Sequence, residues 1–414
     1  MAAAFSPRTL GYALVMSLSS SLEVALPSRV PAASRALMPA AVVALAGIAL
    51  QMMVSGRQAA LFLVGCAAGL VLYHAAFGFT SAWRVFISAR RGAGLRAQML
   101  MLAVTCAVFF PLLAAGSFLG APVRGSVSPA GLAVLGGAFI FGVGMQLGGG
   151  CASGTLYSAG GGSTRMLVVL AAFVAGSLIG TAHAPWWGSL PAWTPASMVG
   201  LWGPVPALAA SLAVFGAIAG LTLRMERQRH GGVGAASSRT PAHWIRGPWP
   251  LVAGAIGLAL VNISTLLIAG RPWGVTSAFA LWGAKTAMVA GVPVETWPYW
   301  STAAQAAALN ASVLADPTSV MNVGIMLGAL FAAMAAGRFA PTWRVSGRSL
   351  AAAVIGGLLL GYGARAAYGC NIGAYFSGIA SGSFHGWLWL PAAFVGNILG
   401  TSLRPWFGLN VERT

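Results

Sequence analysis

Uninterrupted apolar segments of about 20 residues recur along the whole chain. A helix of that length crosses roughly 30 Å of hydrocarbon, and it satisfies its own backbone hydrogen bonds in lipid. The segments do not alternate with a period of two, which argues against a β-barrel. They predict an all-α integral membrane protein with nine or ten transmembrane helices. The candidate crossings are 36–56, 58–76, 96–116, 128–149, 163–183, 203–223, 248–269, 320–338, 349–369 and 386–404.

The composition excludes the soluble classes of protein. Of 414 residues, 58% are hydrophobic and only 7% are charged, which is too few charges to cover a soluble core and too much apolar content for a disordered chain. The net charge of +18 does not indicate nucleic-acid binding, because the basic residues lie in short loops between the apolar segments. That placement is typical of a topology signal.

The distribution of basic residues predicts the orientation. With a cytoplasmic N-terminus and alternating crossings, 18 of the 23 basic residues fall on the cytoplasmic side. Both termini are then cytoplasmic. This arrangement requires the segments 79–86 and 275–288 to enter the membrane and return on the same side.

The two halves of the chain resemble each other. GFTSAW (78–83) matches GVTSAF (274–279), the stretch 136–158 matches 355–377, and 171–181 matches 392–401. With the predicted orientation the two copies run in opposite directions, which predicts inverted repeats with a substrate path at their interface. The predicted divisions are 1–57, an N-terminal extension with one candidate extra helix; 58–183, the first repeat; 184–247, a connecting helix and basic cytoplasmic linker; and 248–414, the second repeat and C-terminal tail.

Small and polar residues follow Cys151 and Cys370 in matching GCxxG motifs. Irregular backbone at membrane depth survives only where protein or water surrounds it. We therefore predict about four re-entrant half-helices, whose N-terminal N–H groups attract an anion. The predicted substrate-path residues are Cys151, Cys370, Thr80, Thr276, Gly150, Gly154, Gly369, Gly373, Arg365, Asn371 and Ser153.

The chemistry of these residues favours a soft anion. A neutral thiol is polarisable and donates a weak hydrogen bond, so it can hold such a guest loosely. Arg365 either attracts the anion or extends its side chain to the membrane surface. The alternative for both cysteines is simple helix packing. The five acidic residues lie in loops or near the termini, which argues against a proton-coupled carrier. No catalytic, metal-binding or cofactor motif is present, so the sequence predicts a transporter and not an enzyme.

The sequence RPWGVTSAFALWGAK (271–285), the GFTSAW segment, and the GCASG and GCNIG motifs resemble the YeeE/YedE-type sulfur transport family. The resemblance implies thiosulfate uptake across the bacterial inner membrane through inverted repeats with re-entrant helices. It also implies that Cys151 and Cys370 line the path, and that a small cytoplasmic sulfur-carrier protein is a partner.

The chain departs from this family at one position. Characterised members have a further cysteine in the first re-entrant segment, where this chain has Thr80. Two alternatives therefore stay open beside thiosulfate transport. One is transport of a selenium species or another sulfur compound. The other is a membrane-embedded sulfurtransferase, in which a cysteine forms a persulfide.

Overall fold

The computed structural model describes residues 32–233 and 244–412. Parts of the predicted N-terminal extension (1–31), of the basic linker (234–243) and of the C-terminal tail (413–414) lie outside these ranges. The helices are α1 (Ala32–Met53), α2 (Gly56–Ala75), α3 (Phe79–Ala89), α4 (Ala93–Ala115), α5 (Leu132–Gly148), α6 (Ala152–Gly160), α7 (Thr164–Ala182), α8 (Ala184–Gly188), α9 (Met198–Trp202), α10 (Pro204–His230), α11 (Leu251–Ala269), α12 (Thr276–Val289), α13 (Ala303–Asn310), α14 (Pro317–Ala335), α15 (Gly347–Ala366), α16 (Ser377–Ala380) and α17 (Phe384–Leu403).

The remaining regular structure is short. A π-helical segment, Asn371–Phe376, runs directly into α16, and 3-10 turns occupy Val294–Thr296, Val313–Ala315 and Arg404–Phe407. Strand β1 (Ser117–Phe118) pairs antiparallel with β2 (Ala121–Pro122), and β3 (Ala130–Gly131) pairs antiparallel with β4 (Ala192–Trp193).

Nine stretches of the described chain are helical, long and apolar enough to cross a membrane. The prediction of an all-α integral membrane protein is confirmed. The first candidate crossing corresponds to α1, which is among the nine. The last corresponds to α17, a 20-residue helix that packs along α5 and buries the polar side chains of His385 and Asn397.

Four helical segments are too short to cross a membrane alone. Helices α3, α6 and α12 have 11, 9 and 14 residues. At about 1.5 Å per residue they are roughly 16, 14 and 21 Å long, against roughly 30 Å of hydrocarbon. The π-helical segment with α16 is similarly short. These are the four segments that the sequence predicts to be re-entrant, and their entry and return on one membrane side stays a prediction.

Close contacts at glycine residues show how the long helices α5 and α15 pack against each other. A Cβ atom added at Gly356 would lie 2.2 Å from the backbone nitrogen of Gly148, and one at Gly363 would lie 2.5 Å from the carbonyl oxygen of Gly137. The helices therefore approach backbone to backbone, as small residues permit. Since the start of α5 meets the end of α15, these two helices run antiparallel.

The contacts of one half reappear in the other. Helix α7 packs on α15 as α17 packs on α5, and α14 packs on α2 as α4 packs on α11. The short helices follow the same rule, because α6 contacts α14 and α16 contacts α4. Helices α1 and α10 lie outside this pattern, against α14 and α4 respectively. The short helices α6 and α16 thus pack against the long helices α14 and α4.

Candidate functional site

Cys151 lies at the N-terminus of the short helix α6. Gly149, with φ of +82°, ends α5 and reverses the chain, and Cys151 takes the extended backbone that begins α6. Its side chain is buried, with Sγ 3.5 Å from the Ser153 hydroxyl oxygen. Gly150 and Gly154 keep the turn tight, since a Cβ atom on Gly150 would lie 3.3 Å from the Gly154 carbonyl carbon. The thiol is therefore held inside the protein at a helix tip.

Cys370 has the same position in the second half. The chain turns through Tyr368 and Gly369, with φ of +58° and +154°, before Cys370 begins the π-helical segment. Its side chain is fully buried. The π-helical segment also contacts α6. The fold thus brings into contact the two segments that begin at the thiol tips, which we define as Cys151 and Cys370.

Asn371 follows Cys370 and is fully buried. Neither polar atom of its amide has a hydrogen-bond partner among the described residues. A buried polar group without a partner costs about 1–3 kcal/mol. The unpaired amide of Asn371, next to the Cys370 thiol in the chain, is therefore able to bind a polar ligand.

A polar cavity of about 300 Å³ lies beside the second thiol tip, and we call it the Arg365 cavity. Its lining includes the predicted residues Thr276, Arg365, Gly369 and Gly373, and also Arg271. Among the described lining residues there is no carboxylate. Two guanidinium groups in such a cavity favour a small anion.

Hydrogen bonds hold the Arg365 side chain in place. Its Nη2 donates to the Thr276 hydroxyl at 2.9 Å, and Nη1 donates to the Tyr299 hydroxyl at 3.3 Å. Its Nε is buried and has no partner among the described residues. Arg271 is half exposed and lies 3.7 Å from Asp316. Arg365 is thus the less neutralised of the two positive charges.

The third predicted hydroxyl, that of Thr80, lies elsewhere. The Gln146 side chain donates to the carbonyl oxygen of Thr80 at 3.1 Å and to Asn397 at 2.6 Å. Gln146 is near the end of α5 and Arg365 is near the end of α15, so the antiparallel packing places them toward opposite ends of this helix pair. The predicted site residues therefore divide into the thiol tips, the Arg365 cavity and a group around Thr80.

A family model described as sulphur transport matches residues 74–399, well over half of the chain. The chain belongs to the sulphur transport family. The matched residues include both thiol tips, the Arg365 cavity and the Thr80 group.

The chain is also similar to three proteins named as transporters or probable transporters. The probable transporters YedE of Escherichia coli and Salmonella typhimurium are each 30% identical over 171 residues, 41% of this chain and 42% of their own length. The chain thus aligns with less than half of these two curated relatives. The thiosulfate transporter TsuA of Spirochaeta thermophila is 26% identical over 370 residues, 83% of this chain and 97% of its own length.

Several residues around these sites are absent from the sequence-based prediction. Arg271 lines the cavity, and Gln146 contacts Thr80 as Arg365 contacts Thr276. The repeat contained the signal for Gln146, because the spacing that aligns Cys151 with Cys370 also aligns Gln146 with Arg365. No comparable signal identified Arg271, because the sequence-based prediction counted it only as a basic loop residue.

Filling the Arg365 cavity tests whether this cavity belongs to a substrate path. A Cβ atom added at Gly373 has no other atom within 4 Å in the described part of the chain, so Gly373→Leu places its side chain in open space within the cavity. We expect initial uptake of radiolabelled thiosulfate in proteoliposomes to fall at least about fivefold, with little change in thermal stability.

Gly216→Leu is the matched control for that variant. Gly216 lies on the exposed face of α10 and is likewise open within 4 Å among the described residues. Its uptake should equal that of the wild type. Equal uptake by Gly373→Leu and Gly216→Leu would show that the cavity is not part of the path.

Proposed function

We propose that this chain takes up thiosulfate, or a similar small sulfur-containing anion, across the bacterial inner membrane. The single observation that carries the proposal is a polar cavity with two arginines, which Gly369 and Gly373 line next to the buried Cys370. An anion is attracted by the guanidinium groups, and the thiols and helix N-termini hold it loosely enough for release. The alignment with a thiosulfate transporter over most of the chain favours thiosulfate as the substrate.

The proposed path runs between two inverted repeats, 58–183 and 248–414. Support comes from the antiparallel packing of the equivalent helices α5 and α15, and from that of α2 and α11. In the second pair, added Cβ atoms at Gly254 and Gly257 would meet Ala75 and Val71 respectively, so the start of α11 lies beside the end of α2. Equivalent helices that run in opposite directions are expected of inverted repeats.

The proposed order of contacts begins at the Arg365 cavity, passes the thiol tips and Asn371, and ends near Thr80. Under the proposed orientation, with both termini cytoplasmic, the cavity opens to the outside and the Thr80 group faces the cytoplasm. The predicted small sulfur-carrier protein would then receive the anion at the cytoplasmic face. This chain acts as a conduit in that scheme, and no covalent step is required of it.

Uptake tests the substrate. Proteoliposomes that contain the purified protein should accumulate radiolabelled thiosulfate, and excess unlabelled thiosulfate should abolish the signal. Expression in a strain deficient in thiosulfate uptake should restore growth on thiosulfate as the sole sulfur source. Absence of both uptake and growth would contradict the proposal.

The same preparation separates the two alternatives. If a selenium oxyanion is the better substrate, it should outcompete thiosulfate at equal concentration, a result to which Thr80 in place of the family cysteine could contribute. If the protein is a sulfurtransferase, attack of a thiolate on the outer sulfur of thiosulfate would release sulfite and leave a persulfide. Intact-protein mass spectrometry would then detect one added sulfur atom, whereas a conduit leaves the thiols unmodified.

A further inference from the structure

A carboxylate from the C-terminal tail is bound to an arginine close to Thr80. Arg84 of α3 donates from Nε and Nη2 to the two carboxylate oxygens of Glu412, at 2.8 and 2.7 Å. The Arg84 side chain is only 12% exposed. This is the two-pronged geometry with which arginine recognises carboxylate and other oxyanions.

A second arginine holds the tail in this position. Arg404 is buried, its Nη1 donates to the carbonyl oxygen of Gln146, and its Nε donates to that of Asn410 at 2.9 Å. The hydrogen bonds from Arg84, with the charges of Arg84 and Arg404, lower the pKa of Glu412. The carboxylate is therefore ionised at neutral pH and experiences two positive charges.

The position of this pair mirrors that of the Arg365 cavity. Gln146 stands in α5 where Arg365 stands in α15, and each donates a hydrogen bond to the equivalent threonine, Thr80 or Thr276. Arg84 also reaches Gln146, with Nη1 3.5 Å from its amide oxygen. The Thr80 hydroxyl is buried and has no partner among the described residues. Positive charge and an available hydroxyl thus occur at both ends of the antiparallel helix pair.

We infer that Arg84 forms a second binding site for a small oxyanion, to which Arg404 adds positive charge, and that the Glu412 carboxylate occupies it as a built-in competitor. The inference rests on the proposed function, because the path is what brings an anion to this end of the helix pair. A tethered carboxylate competes at an effective concentration of the order of millimolar. An oxyanion must displace it, and the tail then moves away from Arg84.

Sulfate binding to the purified full-length protein tests the site, since sulfate is an oxyanion that cannot form a persulfide. We expect Glu412→Gln to tighten the sulfate Kd, measured by isothermal titration calorimetry, at least about fivefold. The double variant Glu412→Gln/Arg84→Gln should lose that gain. Sulfate bound at the Arg365 cavity contributes equally to each variant and does not affect the comparison.

Glu295→Gln is the matched control, because it removes an exposed acidic residue from another loop. Its sulfate Kd should equal that of the wild type, and thermal unfolding should show that all variants are folded. An unchanged Kd in Glu412→Gln, or a gain that survives Arg84→Gln, would overturn the inference. Failure of thiosulfate uptake with a gain in sulfate binding would contradict the proposed function and leave this site standing.

Discussion

Replacing either thiol-tip cysteine with alanine is expected to lower thiosulfate uptake at least about tenfold. Cys151 and Cys370 are both buried at the starts of short helical segments, and in the proposed path each thiol donates to the passing anion. A hydrogen bond to a charged group contributes about 1.5–3 kcal/mol, and about 1.4 kcal/mol corresponds to a factor of ten. Initial uptake of radiolabelled thiosulfate by proteoliposomes measures the effect.

Cys→Ser variants at the two positions refine that expectation. A hydroxyl keeps a donor at each tip but lacks the polarisable sulfur, so we expect uptake between the wild-type and alanine values. This ordering distinguishes a hydrogen-bonding role from one that needs covalent sulfur chemistry. A persulfide mechanism predicts that serine is as inactive as alanine.

Cys106→Ala is the matched control for the cysteine variants. Cys106 is a buried cysteine in α4 with Sγ 3.9 Å from the carbonyl oxygen of Ile379, so its loss removes a similar buried volume away from the tips. We expect its uptake to stay close to the wild-type value. Wild-type uptake by both Cys151→Ala and Cys370→Ala would contradict the assignment of the thiols.

Neutralising Arg365 is expected to raise the KM for thiosulfate at least about tenfold. Two unit charges about 4 Å apart interact by about 4 kcal/mol at an effective dielectric constant of about 20, and salt reduces this value near water. Arg365→Gln removes that attraction for a dianion in the Arg365 cavity. The maximal rate should change less, because the thiol tips are unaltered. Uptake rates over a range of thiosulfate concentrations separate the two parameters.

Two further variants control for the structural role of Arg365. Arg365→Lys keeps the charge but loses the fork that reaches Thr276 and Tyr299, so an intermediate KM is expected. Arg271→Gln should have a smaller effect, because Arg271 is half exposed and lies close to Asp316. If Arg365→Gln is folded, as thermal unfolding would show, and its KM is unchanged, the cavity does not attract the anion.

Local signals in the sequence were sufficient to predict the long helices and the points where they end. Apolar segments placed the long helices, and the glycines around Cys151 and Cys370 marked where α5 and α15 end. Both signals depend on neighbours within a few residues, because hydropathy and backbone conformation are local properties. The π-helical geometry after Cys370 was not predicted. Ala152 and Asn371 occupy equivalent positions, yet Ala152 begins an α-helix and Asn371 begins a π-helical segment.

The partners of the polar residues depended on distant parts of the chain. Arg84 was counted only among the basic residues on the cytoplasmic side, yet it binds Glu412, 328 positions away. Arg365 had two alternative roles, and the structure shows its side chain lining a cavity with a hydrogen bond to Thr276, 89 positions away. Such pairs follow from the register of packed helices, which no local pattern specifies.

The sequence alone determined the class of protein, the family, the places where the helices break and the position of each thiol at a break. Only the tertiary structure decided that the two segments behind the thiol tips contact each other, that Arg365 lines a cavity beside one of them, and that Glu412 binds Arg84. The physical reason is that helix formation and membrane insertion are governed by contiguous residues, whereas the convergence of side chains depends on close glycine contacts between helices far apart in the chain.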